Sequence, residues 1–319
     1  MRALIAGFVA TVVCAWGQAP VKGDLEGEAA KLRALVGATP RLALTKTVVK
    51  VKAPGAGWEM GFPSAVAMGG DGLLYVLQRG EKADPVLVVD GAGRIVRSWG
   101  KGMFAIAHSI RVDAAGHVWT VDAASSRVMK FTARGEKLLE IAVGGQPAGK
   151  SGFNGTTDVA FGEGGRVFVS DGYGNARVVE FTSAGKRVRE WGRAGAGDGE
   201  FHLPHGTAVD ARGLVYVADR ENGRVQRFTM EGRHVGTWEM HGKVFSIAAA
   251  RDGIWVGVQH FNEPNGAPGW FLRLDRESGK VLGMVESYQG QHVLNLTAEG
   301  ELLAGARPDV VLWFRRGGR

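Results

Sequence analysis

Short runs in which apolar and polar residues alternate recur along most of this chain, and glycine-containing turns separate them. Alternation with period two predicts half-buried β-strands. A helical pattern is confined to one short stretch, Asp24–Leu35. Three segments align with one another: HSIRVDAAGHVWTVDAASSRVMKFTARGEKLLEI from His108, TDVAFGEGGRVFVSDGYGNARVVEFTSAGKRVREWG from Thr157, and HGTAVDARGLVYVADRENGRVQRFTMEGRHVGTWE from His205. Each holds four strand-like runs, which is the pattern of a four-stranded antiparallel sheet.

Three weaker copies share the register. A turn glycine after the first strand fixes it: Gly72, Gly116, Gly165, Gly213, Gly253 and Gly300. The residues eight positions earlier are Ser64, His108, Thr157, His205, Phe245 and His292, so successive copies start 40 to 49 residues apart. That period fits propeller blades, and the alternation excludes helical solenoids of similar period. The expected fold is all-β, a six-bladed β-propeller over residues 47–316. The sixth copy offers strands near His292–Thr297, Glu301–Ala306 and Val310–Phe314 and lacks one. Thr47–Val51 has strand composition and is expected to complete that blade, closing the ring without an open edge.

Composition agrees with many tight turns between short strands, since 50 of the 319 residues are glycine while 45% are hydrophobic. Residues 1–17 read as a signal peptide: Arg2, an apolar run from Ala3 to Cys14, then Ala15-Trp16-Gly17. The run is too short for a membrane span, and no later stretch is apolar enough to make one. Export to the periplasm or outside the cell is therefore expected. A lipoprotein signal at Cys14 is the alternative, with Val12-Val13 a poor match ahead of it. Residues 18–46 form a lead-in segment. Cys14 is the sole cysteine, so a mature chain has no disulfide, Fe–S cluster or thiol nucleophile. The net charge of +7 comes from scattered basic residues such as Arg94, Lys130 and Arg224, without runs or interleaved aromatics. A nucleic-acid partner is not expected.

The candidate chemistry lies at the register position. Histidine occupies it in copies two, four and six only: His108, His205 and His292. First strands line a propeller's channel, so three imidazoles would converge from alternate blades. Three His ligands with an open fourth position make a catalytic-type zinc site. The alternative is three ordinary channel-lining polar residues. His202 sits three residues from His205, and strand geometry would turn it away; His260 could reach the channel mouth. Seven positions past the turn glycine stand Arg79, Ala123, Gly172, Arg220, His260 and Arg307. The three arginines suggest a mouth that binds a carboxylate, or else solvated surface charge. The preceding Asp122, Asp171 and Asp219 read as structural acceptors of loop N–H groups. Tyr173 lies between two glycines, and near a metal and an arginine its hydroxyl would ionise more easily and could act as a base. The alternative is a packed aromatic.

The stretches SDGYGNARVVEF (Ser170–Phe181), FHLPHGTAVD (Phe201–Asp210) and VADRENGRVQRF (Val217–Phe228) resemble peptidyl-α-hydroxyglycine α-amidating lyase, a family of NHL-repeat propellers. The resemblance spans about residues 60–315 and is dense in copies three and four. It implies a zinc held by His108, His205 and His292, a catalytic Tyr173, and active-site arginines at Arg220 and Arg79. It implies cleavage of a peptidyl-α-hydroxyglycine, a carbinolamide, to a peptide amide and glyoxylate. The substrate would be a small molecule or peptide bearing a carboxylate. The family also uses an aspartate after its third histidine to help bind a structural calcium. Val293 stands there, and Gly174 and Arg227 stand where the family has cysteines. This chain carries no copper monooxygenase domain. The rival reading is a non-catalytic NHL-repeat propeller that binds a protein partner or a glycan. A lactonase-type hydrolase is a weaker rival, because such propellers favour carboxylate-rich calcium centres.

Overall fold

The structure is a computed structural model of the chain and describes residues 23–144, 155–287, 292–306 and 309–316. The leader read from residues 1–17, with Cys14, and the channel-mouth position Arg307 lie outside them. The repeats fold into six four-stranded antiparallel sheets. The innermost strands are Pro63–Met68, Ala107–Val112, Asp158–Gly162, Pro204–Val209, Lys243–Ala250 and Leu294–Leu296. Each touches the next around the ring, the last touching the first. The chain therefore forms a closed six-bladed β-propeller. Blade 6 is completed by Leu44–Lys50, which pairs antiparallel with Val310–Arg316. That strand begins three residues ahead of the Thr47–Val51 segment expected to close the ring.

Burial explains the closure. Innermost and second strands are buried on both faces, and the fourth strands are largely exposed. Six apolar clusters each fill the space between two adjacent blades. Tryptophans on outermost strands lock successive blades edge to edge: Trp99 covers Gly135, Trp191 covers Gly232 and Trp238 covers Gly279. A Cβ at any of these glycines would fall 2.4–2.9 Å from the indole, and each has positive φ, so only glycine fits. The lead-in helix, Leu25–Gly37, is capped by Asp24, whose carboxylate accepts the Gly27 N–H at 2.8 Å. Its Leu32 and Val36 extend the cluster between blades 4 and 5.

The register position has a feature that the sequence pattern hides. Pairing of the first two strands slips between Pro63 and Ala65, Ala107 and Ser109, Pro204 and Gly206, and Val244 and Ser246. Ser64, His108, His205 and Phe245 are thus bulge residues. A bulge turns its side chain out of the ordinary alternation. In blades 3 and 6 the equivalent residues, Thr157 and His292, stand just ahead of the innermost strand.

Candidate metal centre

Each of the three histidines is held by the blade that follows it. His108 Nδ1 donates to the Thr157 carbonyl at 2.6 Å, His205 Nδ1 to the Phe245 carbonyl at 2.6 Å, and His292 Nδ1 to the Ser64 carbonyl at 3.1 Å. Those acceptors are the register residues of blades 3, 5 and 1. An imidazole that donates from Nδ1 in its neutral form keeps its lone pair on Nε2. The ring centroids lie 4.7–5.1 Å apart. One nitrogen from each ring falls within 4.8 Å of the other two.

Electrostatics keep these rings neutral. His108 and His205 are essentially fully buried, and burial pushes both well below the usual histidine range. Burial, then the Arg79 charge, lowers His292 to about 3. Around neutral pH each of the three therefore carries an acceptor lone pair. A set of three neutral nitrogens with no carboxylate among them suits zinc or a similar ion, which takes nitrogen at ~2.0–2.1 Å, and does not suit calcium.

Tyr173 closes one side of the trio. Its hydroxyl lies 3.0 Å from Nε2 of both His108 and His205. Both nitrogens are acceptors and the phenol has one proton, so it satisfies at most one of them. The loop that carries Tyr173 is pressed against the innermost strand of blade 4. A Cβ on Gly172 would lie 2.1 Å from the Pro204 carbonyl oxygen, and the Tyr173 N–H bonds to the Gly155 carbonyl at 3.0 Å. Burial raises the Tyr173 pKa, and the opposing charges of Arg220 and Arg79 do not reverse it. The two guanidiniums favour the phenolate, and desolvation disfavours it more strongly.

Two arginines flank the trio. Arg220 is nearly buried, hydrogen-bonds to Tyr173, lies 5.0 Å from the Phe245 ring centroid, and its Nε donates to Glu221 at 2.6 Å. Arg79 donates from Nε to the Ala107 carbonyl at 2.7 Å and sits over Phe62. The charges of both lower the pKa of His205 and His292. His202 stays out of the trio, as expected, for a different reason than strand alternation. It occupies a loop, next to Leu203 at φ 67°, with its N–H bonded to Asp219. His260 packs edge-on against Trp270 and is not in the trio. Asp122 accepts four loop N–H groups and Asp219 one, as expected of structural carboxylates. Asp171 differs, accepting from the side chains of Asn175 and Arg177. Sequence reasoning missed Glu221, although it directly follows Arg220 in the ADRENGR stretch.

Comparison with known proteins supports these observations. A family described as NHL repeat matches residues 201–228. Mouse peptidyl-glycine alpha-amidating monooxygenase is 39% identical over 250 residues, covering 72% of this chain and 25% of that protein. A "probable peptidyl-alpha-hydroxyglycine alpha-amidating lyase" of Caenorhabditis elegans is 28% identical over 248 residues, covering 72% of this chain and 69% of that one. The chain thus spans only about a quarter of the mouse relative it matches. A solved streptogramin B lyase superposes with a TM-score of 0.58 at 14% identity, over 85% of this chain and 97% of that one, which speaks for the fold alone. The repeat, the relatives and the ring geometry agree in making this chain an NHL-repeat propeller that is similar to the amidating lyases.

Proposed function

We propose that the chain is an exported zinc-dependent lyase that cleaves a peptidyl-α-hydroxyglycine to a peptide amide and glyoxylate. The observation that supports it most is the common anchoring of His108, His205 and His292, each with Nδ1 on the next blade's carbonyl and a lone pair left on Nε2. A zinc ion there would polarise the substrate hydroxyl and offset the burial that keeps Tyr173 protonated. Tyr173, already within hydrogen-bond reach of two of the rings, takes the hydroxyl proton. The carbon–oxygen bond becomes a carbonyl as the carbon–nitrogen bond breaks, and Tyr173 passes the proton it took to the leaving amide nitrogen, so the balance closes. Arg220 and Arg79 hold the carboxylate that becomes part of glyoxylate. Glu221 fixes the Arg220 guanidinium for that contact.

The test is glyoxylate release from a synthetic peptidyl-α-hydroxyglycine by zinc-loaded protein. Tyr173→Phe should keep the metal and lose about 10²–10⁴-fold in rate, the usual cost of removing a general base. Wild-type activity in that variant would remove Tyr173 from the role. Zinc-loaded wild type that releases no glyoxylate would leave a metal-binding propeller without this chemistry.

A further inference from the structure

Farther along the same innermost strands lies a second polar layer that the metal centre does not use. Arg111 is its hub, with the side chain 11% exposed against 2% for its partner Asp158. Its Nε donates to Asp158 Oδ1 at 3.0 Å, and its Nη2 to Asp158 Oδ2. Its Nη1 donates to the Leu294 carbonyl at 2.8 Å and to Asn295 Oδ1 at 2.6 Å. Asn295 Nδ2 in turn donates to the carbonyls of Val66 at 2.8 Å and Ile110 at 3.0 Å. Asp158 also accepts from Ser109 Oγ at 2.6 Å and from the Thr207 N–H at 3.2 Å. These residues belong to blades 1, 2, 3, 4 and 6.

This layer bears on the calcium that the family resemblance implies. Val293, in place of the expected carboxylate, is 3% exposed and packed in the apolar cluster between blades 1 and 2. The Leu294 carbonyl, next in the chain, already accepts from Arg111, and the carbonyls of Val66 and Ile110 accept from Asn295. Calcium needs six to eight oxygens at 2.3–2.6 Å, and a dication beside a guanidinium would be repelled. The residues present do not fit the ion.

We propose that Arg111, clamped by Asp158 and Asn295, is a protein-supplied cation that ties five blades together at the channel, so that this propeller holds its fold without calcium. One fixed guanidinium presents several N–H groups in a planar fork, so it gathers carbonyls and a carboxylate from separate strands as a metal would, and its charge is balanced by Asp158. Both ends of the Asn295 amide and both oxygens of Asp158 are engaged.

The inference rests on the fold and not on the lyase reading, and its test does not read activity. Thermal unfolding of the zinc-loaded protein should give the same midpoint in calcium-free buffer and in millimolar calcium, and elemental analysis should find no stoichiometric calcium. A bound calcium would raise the midpoint by mass action, and a rise of several degrees, or one calcium per chain, overturns the proposal. Arg111→Met should lower the midpoint by roughly 10 °C whether or not calcium is added, because it strands a buried carboxylate. An unchanged midpoint in that variant would show that the guanidinium ties nothing together. Should the variant fail to fold, the calcium comparison on wild type still decides.

Discussion

The channel holds two polar layers a few residues apart on the same strands, and they are built to opposite rules. In the histidine layer each ring is anchored at Nδ1 and leaves Nε2 facing the other rings, with one phenol proton shared between two of those nitrogens. In the Arg111 layer the guanidinium, the Asp158 carboxylate and the Asn295 amide find partners within the protein, and the charge is balanced internally. A layer that leaves lone pairs uncommitted is arranged for a guest, and a layer that commits them is arranged for the fold. Burial acts on both, with different results. It makes the histidines neutral ligands, whereas Arg111 and Asp158 meet it as a buried ion pair.

The largest effect that can break this comparison is on the structural side. Asp158→Asn leaves the Arg111 guanidinium without its counter-charge, and unfolding free energy should fall by about 3–5 kcal/mol. Denaturant titration measures this, and the folded fraction should keep its metal. Loss of metal at unchanged stability would reverse the roles of the two layers. On the guest side, Glu221→Gln weakens the clamp on Arg220 Nε. A charge-assisted hydrogen bond of about 1.5–3 kcal/mol then predicts a rise of roughly tenfold or more in KM, with kcat changed less. A fall in kcat at constant KM would show that Arg220 does not hold the substrate carboxylate. Gly172→Ala sets a methyl against the Pro204 carbonyl and should cost about 1–3 kcal/mol as overpacking. By displacing Tyr173 it should slow glyoxylate release while the zinc stays. Full activity in that variant would mean the loop's placement beside His205 is immaterial.

The blade count and the ring positions were legible because a turn glycine recurs at one place in every copy and needs left-handed backbone: Gly72, Gly116, Gly165, Gly213 and Gly300 have φ of 73–81°. The convergence of the three histidines followed from that register. The way they converge did not, because a bulge adds one residue to a strand and leaves no mark in the alternation. His108 and His205 sit on such bulges, and His292 lies ahead of Leu294–Leu296 instead of within the expected His292–Thr297 strand. The Arg111 layer was illegible for another reason. Its partners lie 47 and 184 residues away in sequence, and only ring closure brings blade 6 beside blade 2. For Tyr173 the nearby charges can be guessed from a motif, whereas the depth of burial that opposes them cannot.

The central claim is that one layer of this channel takes a metal and the other replaces one. Elemental analysis of purified wild type and of His205→Ala tests both halves at once. Wild type should contain one zinc and no calcium per chain, and His205→Ala should lose the zinc while remaining folded. Stoichiometric calcium in wild type, or zinc retained at one per chain without His205, would contradict the account.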